Sequence, residues 1–270
     1  PIGGALRSVD FFAAPVDPRF VAGSAGLRSA PPVLGWAYTA GTREGPGPFQ
    51  PVHTLTSTLA QALRPLSWLG LPADEARMHG PKFPFVQLAH GRRNRICGFL
   101  SPGGRLAARI PDPFVDYLHR AVLDSDAAEQ PWVPRYLPVQ ILRLGPLCIV
   151  ALPTEPTVQS GRRLARSVAD VLAPSDAQAG REPSHVVVNG YANAYAGYVT
   201  TPEEYSAQRY EGAASLFGMW ALPAFCTALS DLARDLTRPA PPPAWASAEG
   251  RVSLGRRPSP PSLPSAVPHT

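Results

Sequence analysis

The sequence has a single lysine, few cysteines and no long hydrophobic run. Lys82 is the one lysine among 25 basic residues, and 20 acidic residues leave a formal net charge of +5. Because this excess is small and no basic stripe interleaved with aromatic residues accompanies it, nucleic-acid binding is not indicated. Three cysteines, at 97, 148 and 226, are too few and too scattered for a disulfide framework or a cysteine-based zinc site. No apolar stretch reaches the roughly 18 residues that a transmembrane helix needs.

Proline is abundant instead, with 34 among 270 residues. Residues 238–270 are rich in Pro, Ser and Arg and hold too little apolar content to fold alone, which predicts a disordered tail. Residues 1–237 are predicted to be the folded part, with the clearest pattern from residue 131 on. The chain opens at Pro1 with neither a methionine nor a signal-peptide pattern, as though cut from a longer polypeptide.

The segment from 131 to 237 alternates strand and helix patterns, which predicts an α/β fold with a mixed sheet and flanking helices. Val139–Leu144 and Leu147–Leu152 are predicted to form a β-hairpin. An apolar face at positions 164, 168, 171 and 172 predicts a helix that stops at Pro174. His185–Val188 is predicted as a short central strand because it is apolar after the histidine. Pro223–Leu236 has the pattern of an amphipathic helix, and Cys148 and Cys226 lie among apolar residues typical of a core.

The first part of the chain gives weaker signals. Residues 1–30 are weakly periodic, and residues 91–130 show no readable pattern. The remaining predictions are a strand at 33–40, a glycine loop at 41–47, a helix around 52–64, and an extended run at 82–88 whose Pro84 indicates a sheet edge.

Residues 189–213 contain five tyrosines, at 191, 195, 198, 205 and 210. A phenol can pack, donate a hydrogen bond or, as phenolate, bind a metal. Within this stretch Thr201, Pro202 and Glu204 predict a helix start with a capping box. Glu155 follows one predicted strand and the first tyrosines follow another. If those strands are neighbours, these residues meet at one edge of the sheet, where function tends to lie in α/β folds.

The 189–213 segment closely resembles the signature of the neutral (neutral/alkaline, non-lysosomal) ceramidases. Three further blocks agree in order: the glycine-rich loop within 34–47, the strand pair within 131–145, and the segment 152–163, which ends in Gly-Arg-Arg. The resemblance covers roughly residues 30–237. It implies the C-terminal half of the catalytic domain of a zinc amidohydrolase that cleaves ceramide to sphingosine and fatty acid.

The resemblance also implies roles for individual residues. Glu155 matches the glutamate zinc ligand, Tyr198 the tyrosine zinc ligand, and Tyr210 a tyrosine whose hydroxyl contacts the reacting carbonyl oxygen. The two histidine ligands and the serine nucleophile of the family lie N-terminal to the matched region, and none of the six histidines here falls in a matching motif. The isolated chain is therefore expected to bind zinc weakly and to be inactive. Family members are secreted or face the cell exterior, and contact with a membrane surface stays open.

Plainer interpretations compete with these roles. Glu155 could be a solvated loop residue, Tyr198 a buried tyrosine with a satisfied hydroxyl, and Tyr210 a core residue packed on Leu216. The remaining tyrosines, at 191, 195 and 205, are predicted to pack or to support the ligands, and His185 to be structural. Arginines 162, 163 and 166 share one helix, either as a solvated face or as a contact for an anionic surface. For the whole chain the alternative is a catalytically dead, truncated paralogue or a gene-prediction fragment that acts as a binding module.

Overall fold

A computed structural model describes residues 2–42, 44–47, 50, 53–69, 72–88 and 133–238. Within these ranges the chain forms eight strands, six α-helices and two 3₁₀ helices, at Pro18–Phe20 and Trp36–Ala40. The strands are β1 (Ile2–Asp10), β2 (Val33–Gly35), β3 (Pro84–Gln87), β4 (Tyr136–Leu144), β5 (Leu147–Ala151), β6 (Glu155–Pro156), β7 (His185–Asn189) and β8 (Tyr198–Val199). The α-helices are α1 (His53–Ser67), α2 (Ala73–His79), α3 (Val158–Gln178), α4 (Pro202–Ser206), α5 (Tyr210–Ala214) and α6 (Ala221–Thr237).

A mixed sheet in the order β1-β4-β5-β7 organises the molecule. Strands β1, β4 and β5 pair antiparallel, whereas β7 lies parallel to β5. The chain leaves β5, crosses one face of the sheet as α3 and returns as β7, which is the connection that a parallel pair requires. Two short pairs, β2–β3 antiparallel and β6–β8 parallel, complete the pairing in the described residues. The fold is therefore α/β with a mixed sheet and flanking helices, as the sequence predicts.

The core lies between this sheet and helices α3 and α6. It is built from fully buried side chains that alternate along the strands and recur every three or four residues along the helices. Among them are Leu137, Val139, Ile141, Cys148, Val150, Leu164, Val168, Leu172, Cys226 and Leu229. The predictions that the hairpin is paired, that the apolar face of α3 is buried and that both cysteines lie in the core are confirmed.

Helix α3 does not stop at Pro174 as predicted, but continues to Gln178. A proline inside a helix loses one backbone hydrogen bond and normally ends it. Here the last turn is held by Asp176, whose buried carboxylate pairs with Arg143 of β4 and accepts a 2.7 Å hydrogen bond from the Ser184 hydroxyl. A tertiary ion pair that the local sequence does not show therefore extends the helix.

Two strand predictions also need correction. β7 is not central: in the described sheet it pairs with β5 alone, and Val187 is 52% exposed. The strand predicted at 33–40 ends at Gly35, because Trp36–Ala40 turns into a 3₁₀ helix. Conversely β1, in the weakly periodic N-terminal region, is a nine-residue strand because every residue pairs with β4.

The other predictions for the first part of the chain are confirmed where they are described. Helix α1 covers the predicted 52–64 region, and β3 begins at Pro84 at an edge of its two-stranded pair. Cys97 and the predicted disordered tail, apart from Arg238, lie outside the described residues. No helix in the described part of the chain is long and apolar enough to cross a membrane.

Candidate active site

Glu155 and Tyr198 are brought together by the parallel pairing of β5 with β7. Each strand leads into a short segment, and those segments pair as β6 and β8 with Glu155 directly opposite Tyr198. The amide of Glu155 donates to the carbonyl of Gly197 over 2.9 Å. The prediction that the residues after these two strands meet at one sheet edge is therefore confirmed.

A glycine at 197 permits this approach. Gly197 has a φ of +74°, which favours glycine, and a Cβ there would lie 2.7 Å from the carbonyl oxygen of Ala214. Any other residue would push β8 away from α5. The position of Tyr198, one residue later, depends on this close contact.

Three phenols surround the carboxylate of Glu155. The Tyr195 hydroxyl donates to Glu155 Oε1 over 2.5 Å, and Tyr191 and Tyr198 also hydrogen-bond to the carboxylate. The rings of Tyr191 and Tyr195 stack, with centroids 5.8 Å apart. Burial raises the pKa of Glu155, but the three phenol hydrogen bonds outweigh it and the pKa lies below its ordinary value. Glu155 is thus an ionised acceptor at neutral pH, and not merely a solvated loop residue.

The same contacts act on the phenols in the opposite direction. Burial, and then the hydrogen bond to Glu155, raise the pKa of Tyr195 and of Tyr198. For Tyr191, the hydrogen bond to Glu155 is the main reason that its pKa is raised. Each phenol is therefore harder to deprotonate than an ordinary tyrosine while Glu155 is its partner.

The capping box predicted at Thr201 is present and joins the two halves of the site. Thr201 Oγ1 accepts from the amide of Glu204, and a Glu204 carboxylate oxygen accepts from the amide of Thr201 over 2.9 Å. The same oxygen accepts a 2.6 Å hydrogen bond from Thr157 Oγ1, two residues after Glu155. The start of α4 is therefore fixed to the start of α3.

Tyr210 does not lie on the helix that the capping box begins, but opens a second one. Helix α4 ends at Ser206, and Gln208 has a φ of +45°, which breaks the helical run. Helix α5 then begins at Tyr210. This break turns the Tyr210 ring edge-on to Tyr198, with centroids 5.8 Å apart.

Tyr38, which the sequence pattern did not single out, is the second neighbour of Tyr210. The two rings stack with centroids 5.0 Å apart, and their hydroxyls hydrogen-bond. Burial, followed by this hydrogen bond, raises the pKa of Tyr210 to about 12. Tyr38 lies in the 3₁₀ helix just before the glycine loop. The only signal for it in the sequence was therefore its place in the 34–47 block of the family resemblance.

These groups line a cavity of about 290 Å³. Its polar wall is Glu155 with the tyrosines at 38, 195, 198 and 210, and its apolar wall includes Leu34, Leu88, Val133 and Leu216. A second, more polar hollow of about 810 Å³ is lined by Tyr210 and by the glycine loop at Gly41, Thr42 and Glu44. Gly41 has a φ of +69°, as predicted for this loop. Tyr210 thus lines both the cavity and the more polar hollow.

Comparison with known proteins identifies the family of this chain. A family model described as "Neutral/alkaline non-lysosomal ceramidase, N-terminal" matches residues 117–227. The neutral ceramidase of Pseudomonas aeruginosa is 33% identical over 232 residues, which are 84% of this chain and 28% of that protein. The chain belongs to the neutral/alkaline non-lysosomal ceramidase family.

Further matches agree with the family. The neutral ceramidase of Mycobacterium tuberculosis (strain ATCC 25618 / H37Rv) is 43% identical over 131 residues, which cover 48% of this chain and 18% of that protein. A solved structure described as "Ceramidase complexed with C2" superposes with a TM-score of 0.54 at 31% identity, over 87% of this chain and 30% of that one. The chain therefore spans about a quarter of the length of most curated ceramidases that it matches.

The described histidines do not join the candidate site. His79 is fully buried with both ring nitrogens engaged, to Tyr205 and to the carbonyl of Pro31. His185 opens β7, at the opposite end of that strand from the cavity. Among the residues that the structure covers, no three His, Cys, Asp or Glu side chains are grouped to hold a metal. The histidines at 90, 119 and 269 and the side chain of His53 lie outside the described residues.

The remaining tyrosine and arginine predictions are also placed. Tyr205 is 1% exposed and belongs to the core, whereas Tyr191 and Tyr195 are exposed and support Glu155. On α3, Arg163 pairs with Glu203 and Arg166 with Asp170 in largely exposed ion pairs. These contacts fit the solvated-face interpretation of the arginines.

Proposed function

We propose that this chain supplies part of the active site of a ceramidase, which cleaves the N-acyl amide bond of ceramide to give sphingosine and a fatty acid. The observation that carries the proposal is the convergence of Glu155, Tyr198 and Tyr210 on one cavity. These are the three residues to which the family resemblance assigns zinc binding and carbonyl contact. The apolar wall of the cavity offers a surface of the kind that a lipid chain would contact.

We infer that Glu155 and Tyr198 bind zinc. A carboxylate and a phenol oxygen are held side by side by the β6–β8 pair and share a hydrogen bond. A dication bound to both oxygens would replace the shared proton, which removes the part of the raised pKa of Tyr198 that comes from its hydrogen bond to Glu155. When bound, zinc would supply Lewis acidity that polarises the amide carbonyl and activates a hydroxyl nucleophile. The described residues offer only part of a tetrahedral ligand set.

Tyr210 is suited to donate a hydrogen bond to the reacting oxygen. With a pKa of about 12 it stays protonated across the neutral range. Its stack on Tyr38 and its edge contact with Tyr198 fix the ring at the cavity wall. One donor aimed at a developing oxyanion lowers the barrier by about 3–4 kcal/mol in other enzymes.

A chimeric enzyme tests this proposal. The aligned 28% of Pseudomonas aeruginosa neutral ceramidase is replaced by the matching residues of this chain. We expect the chimera to bind zinc and to release fatty acid from a short-chain N-acylsphingosine. A chimera that folds and binds zinc but releases no fatty acid would contradict the proposed function.

Two further expectations rest on the family resemblance alone. The purified 270-residue chain is expected to bind no zinc tightly and to show no turnover. Stoichiometric zinc in that chain, lost on Tyr198→Phe, would show that it contains the missing ligands. We also propose that the protein acts outside the cell. Immunodetection in culture medium and surface fractions tests this, and detection in the cytosol alone would contradict it.

A further inference from the structure

The single lysine of the chain is buried beneath the candidate active site. Lys82 is 0% exposed and lies between α2 and β3. Its ammonium nitrogen Nζ is 3.0 Å from the carbonyl oxygen of Val33, 3.1 Å from that of Ala213 and 2.7 Å from that of Ser215. No carboxylate among the described residues pairs with it. Burying a cation without a counter-ion costs free energy, so we expect this ammonium group to have a role in its three backbone contacts.

The three acceptors match the three N–H bonds of an ammonium group. A neutral amine has two N–H bonds and a lone pair, so it would leave one carbonyl unpaired or repelled. The nitrogen also lies 4.8 Å from the ring centroid of Tyr205, a cation–π contact that favours the charged form. Burial acts the other way and lowers the pKa of Lys82 well below its ordinary value. The contacts favour the charged form, whereas burial moves its titration midpoint below that of an exposed lysine.

Two ionisable side chains beside Lys82, on α2 and α4, carry no negative charge. His79 of α2 has its Nε2 2.9 Å from the Pro31 carbonyl, so Nε2 carries the proton and Nδ1 accepts from the Tyr205 hydroxyl. Burial and the charge of Lys82 lower the pKa of His79 to about 3, so this ring is neutral. Tyr205 of α4 has a strongly raised pKa through burial, and Arg64 of α1 lies near it. We call Lys82, His79, Tyr205 and Trp68, whose ring stacks on His79, the buried polar cluster.

The carbonyls that bind Lys82 belong to the two segments that carry Tyr38 and Tyr210. Ala213 and Ser215 lie at the C-terminal end of α5, where backbone carbonyls lack helical partners. Val33 opens β2, which leads directly into the 3₁₀ helix with Tyr38. The two segments are in tight contact, because a Cβ on Gly35 would lie 3.1 Å from Ala213.

We propose that Lys82 is a positioning residue for Tyr210: its ammonium group joins the end of α5 to β2 and so holds the Tyr210 ring between Tyr38 and Tyr198. The catalytic consequence rests on the proposed function, whereas the contact itself does not. When Lys82 loses its proton it loses one of three donors, and α5 is then free to shift relative to β2. Tyr210 should respond to the protonation of a residue whose nitrogen it does not touch.

Because the chain has one lysine, NMR can observe this group without ambiguity. The 270-residue chain is labelled with ¹³Cε-lysine and ¹³Cζ-tyrosine and titrated from pH 5 to pH 10. We expect one lysine signal that is charged at neutral pH and has a midpoint below that of an exposed lysine. The Tyr210 signal, assigned with Tyr210→Phe, should move with the same midpoint. Tyr136, which lies exposed on β4, is the internal control and should show no inflection at the lysine midpoint.

Lys82→Met supplies the matched variant, because it retains the length of the side chain but removes all three donors. We expect it to shift the Tyr210 signal and to abolish the shared inflection. A lysine signal that is neutral at pH 6, or a Tyr210 signal that stays flat while the lysine titrates, would overturn the proposal. If the lysine stays charged to pH 10, an unchanged Tyr210 signal in Lys82→Met would overturn it. If that variant does not fold, the decision rests on the unmodified chain, whose titration is then carried above pH 10 until Lys82 loses its proton.

The NMR result assumes no enzymatic activity. Full ceramide hydrolysis by a Tyr210→Phe chimera would remove the catalytic role of Tyr210 and would leave the Lys82 contact in place. If the Tyr210 signal did not change as Lys82 titrates, but the chimera needed Tyr210 for hydrolysis, the catalytic role of Tyr210 would stand and the positioning role of Lys82 would be removed. The two proposals can therefore fail separately.

Discussion

Tyr205 and Tyr210 are five residues apart on consecutive short helices, yet they face opposite environments. Tyr205 is 1% exposed, and its hydroxyl bonds to His79 over 3.3 Å while its ring covers Lys82. Tyr210 faces an open cavity, where its partners are Tyr38 and the edge of Tyr198. The break at Gln208 separates the two environments.

The difference shows how one residue type serves two purposes. In the buried polar cluster each polar group has an internal partner, so a phenol there fixes the position of neighbouring segments. In the cavity, the phenols of Tyr195 and Tyr198 share the carboxylate of Glu155, and these three groups line space that a ligand can enter. A buried group contributes to folding through its contacts, whereas a half-exposed group with a shifted pKa is a candidate for chemistry. The same Tyr→Phe substitution should therefore change the free energy of unfolding in the buried polar cluster, but zinc binding or kcat in the cavity.

The largest effect is expected at the proposed zinc ligands. In the chimeric ceramidase, Tyr198→Phe should abolish zinc binding and hydrolysis together, because a phenyl ring offers no oxygen to the metal. Zinc content and fatty acid release measure this. Tyr205→Phe is the matched control in the buried polar cluster and should retain zinc. Equal zinc content in both variants would remove Tyr198 from the ligand set.

Tyr210→Phe should lower kcat by roughly 10²–10³ while zinc stays bound, because one donor to the oxyanion is lost. Steady-state kinetics of the chimera measure this loss. Tyr205→Phe should instead leave kcat unchanged and lower the free energy of unfolding by about 1–3 kcal/mol, because the buried Nδ1 of His79 loses its donor. If Tyr205→Phe reduced kcat as much as Tyr210→Phe, the division into two regions would be wrong.

Most residues of the candidate site could be predicted from the sequence, but the residues that hold them in position could not. Glu155 and Tyr198 follow strands with clear apolar patterns, and the capping box at Thr201 is a local signal. The break at Gln208 depends on a positive φ, which a glutamine side chain does not predict. Tyr38 and Lys82 gain their roles from partners more than 100 residues away in sequence. Such contacts exist only once the chain has folded, so pattern and spacing do not reveal them.

The buried polar cluster should also give a distinct pH dependence of stability. The pKa of His79 is lowered to about 3 from an ordinary value of 6.5, so below about pH 6.5 the unfolded chain binds a proton that the folded chain does not. Stability due to this residue is therefore present above pH 6.5 and is lost as the pH falls towards 3. His79→Gln should lower the free energy of unfolding at pH 7.5, and that deficit should shrink by about 2 kcal/mol at pH 5. Denaturant titrations at both pH values measure the difference. A deficit that stays constant would mean that His79 accepts a proton in the folded chain.

The smallest effect is expected at the phenols that support Glu155. Tyr195→Phe removes a 2.5 Å hydrogen bond to the carboxylate, so the pKa of Glu155 should rise towards its ordinary value. Because Tyr195 is 53% exposed, the free energy of unfolding should change by no more than about 0.5 kcal/mol. A ¹³C titration of the Glu155 carboxyl in the 270-residue chain measures the first quantity, and denaturant unfolding measures the second. An unchanged Glu155 pKa would show that Tyr191 and Tyr198 alone keep this carboxylate ionised, and Tyr195 would then belong with the packing tyrosines.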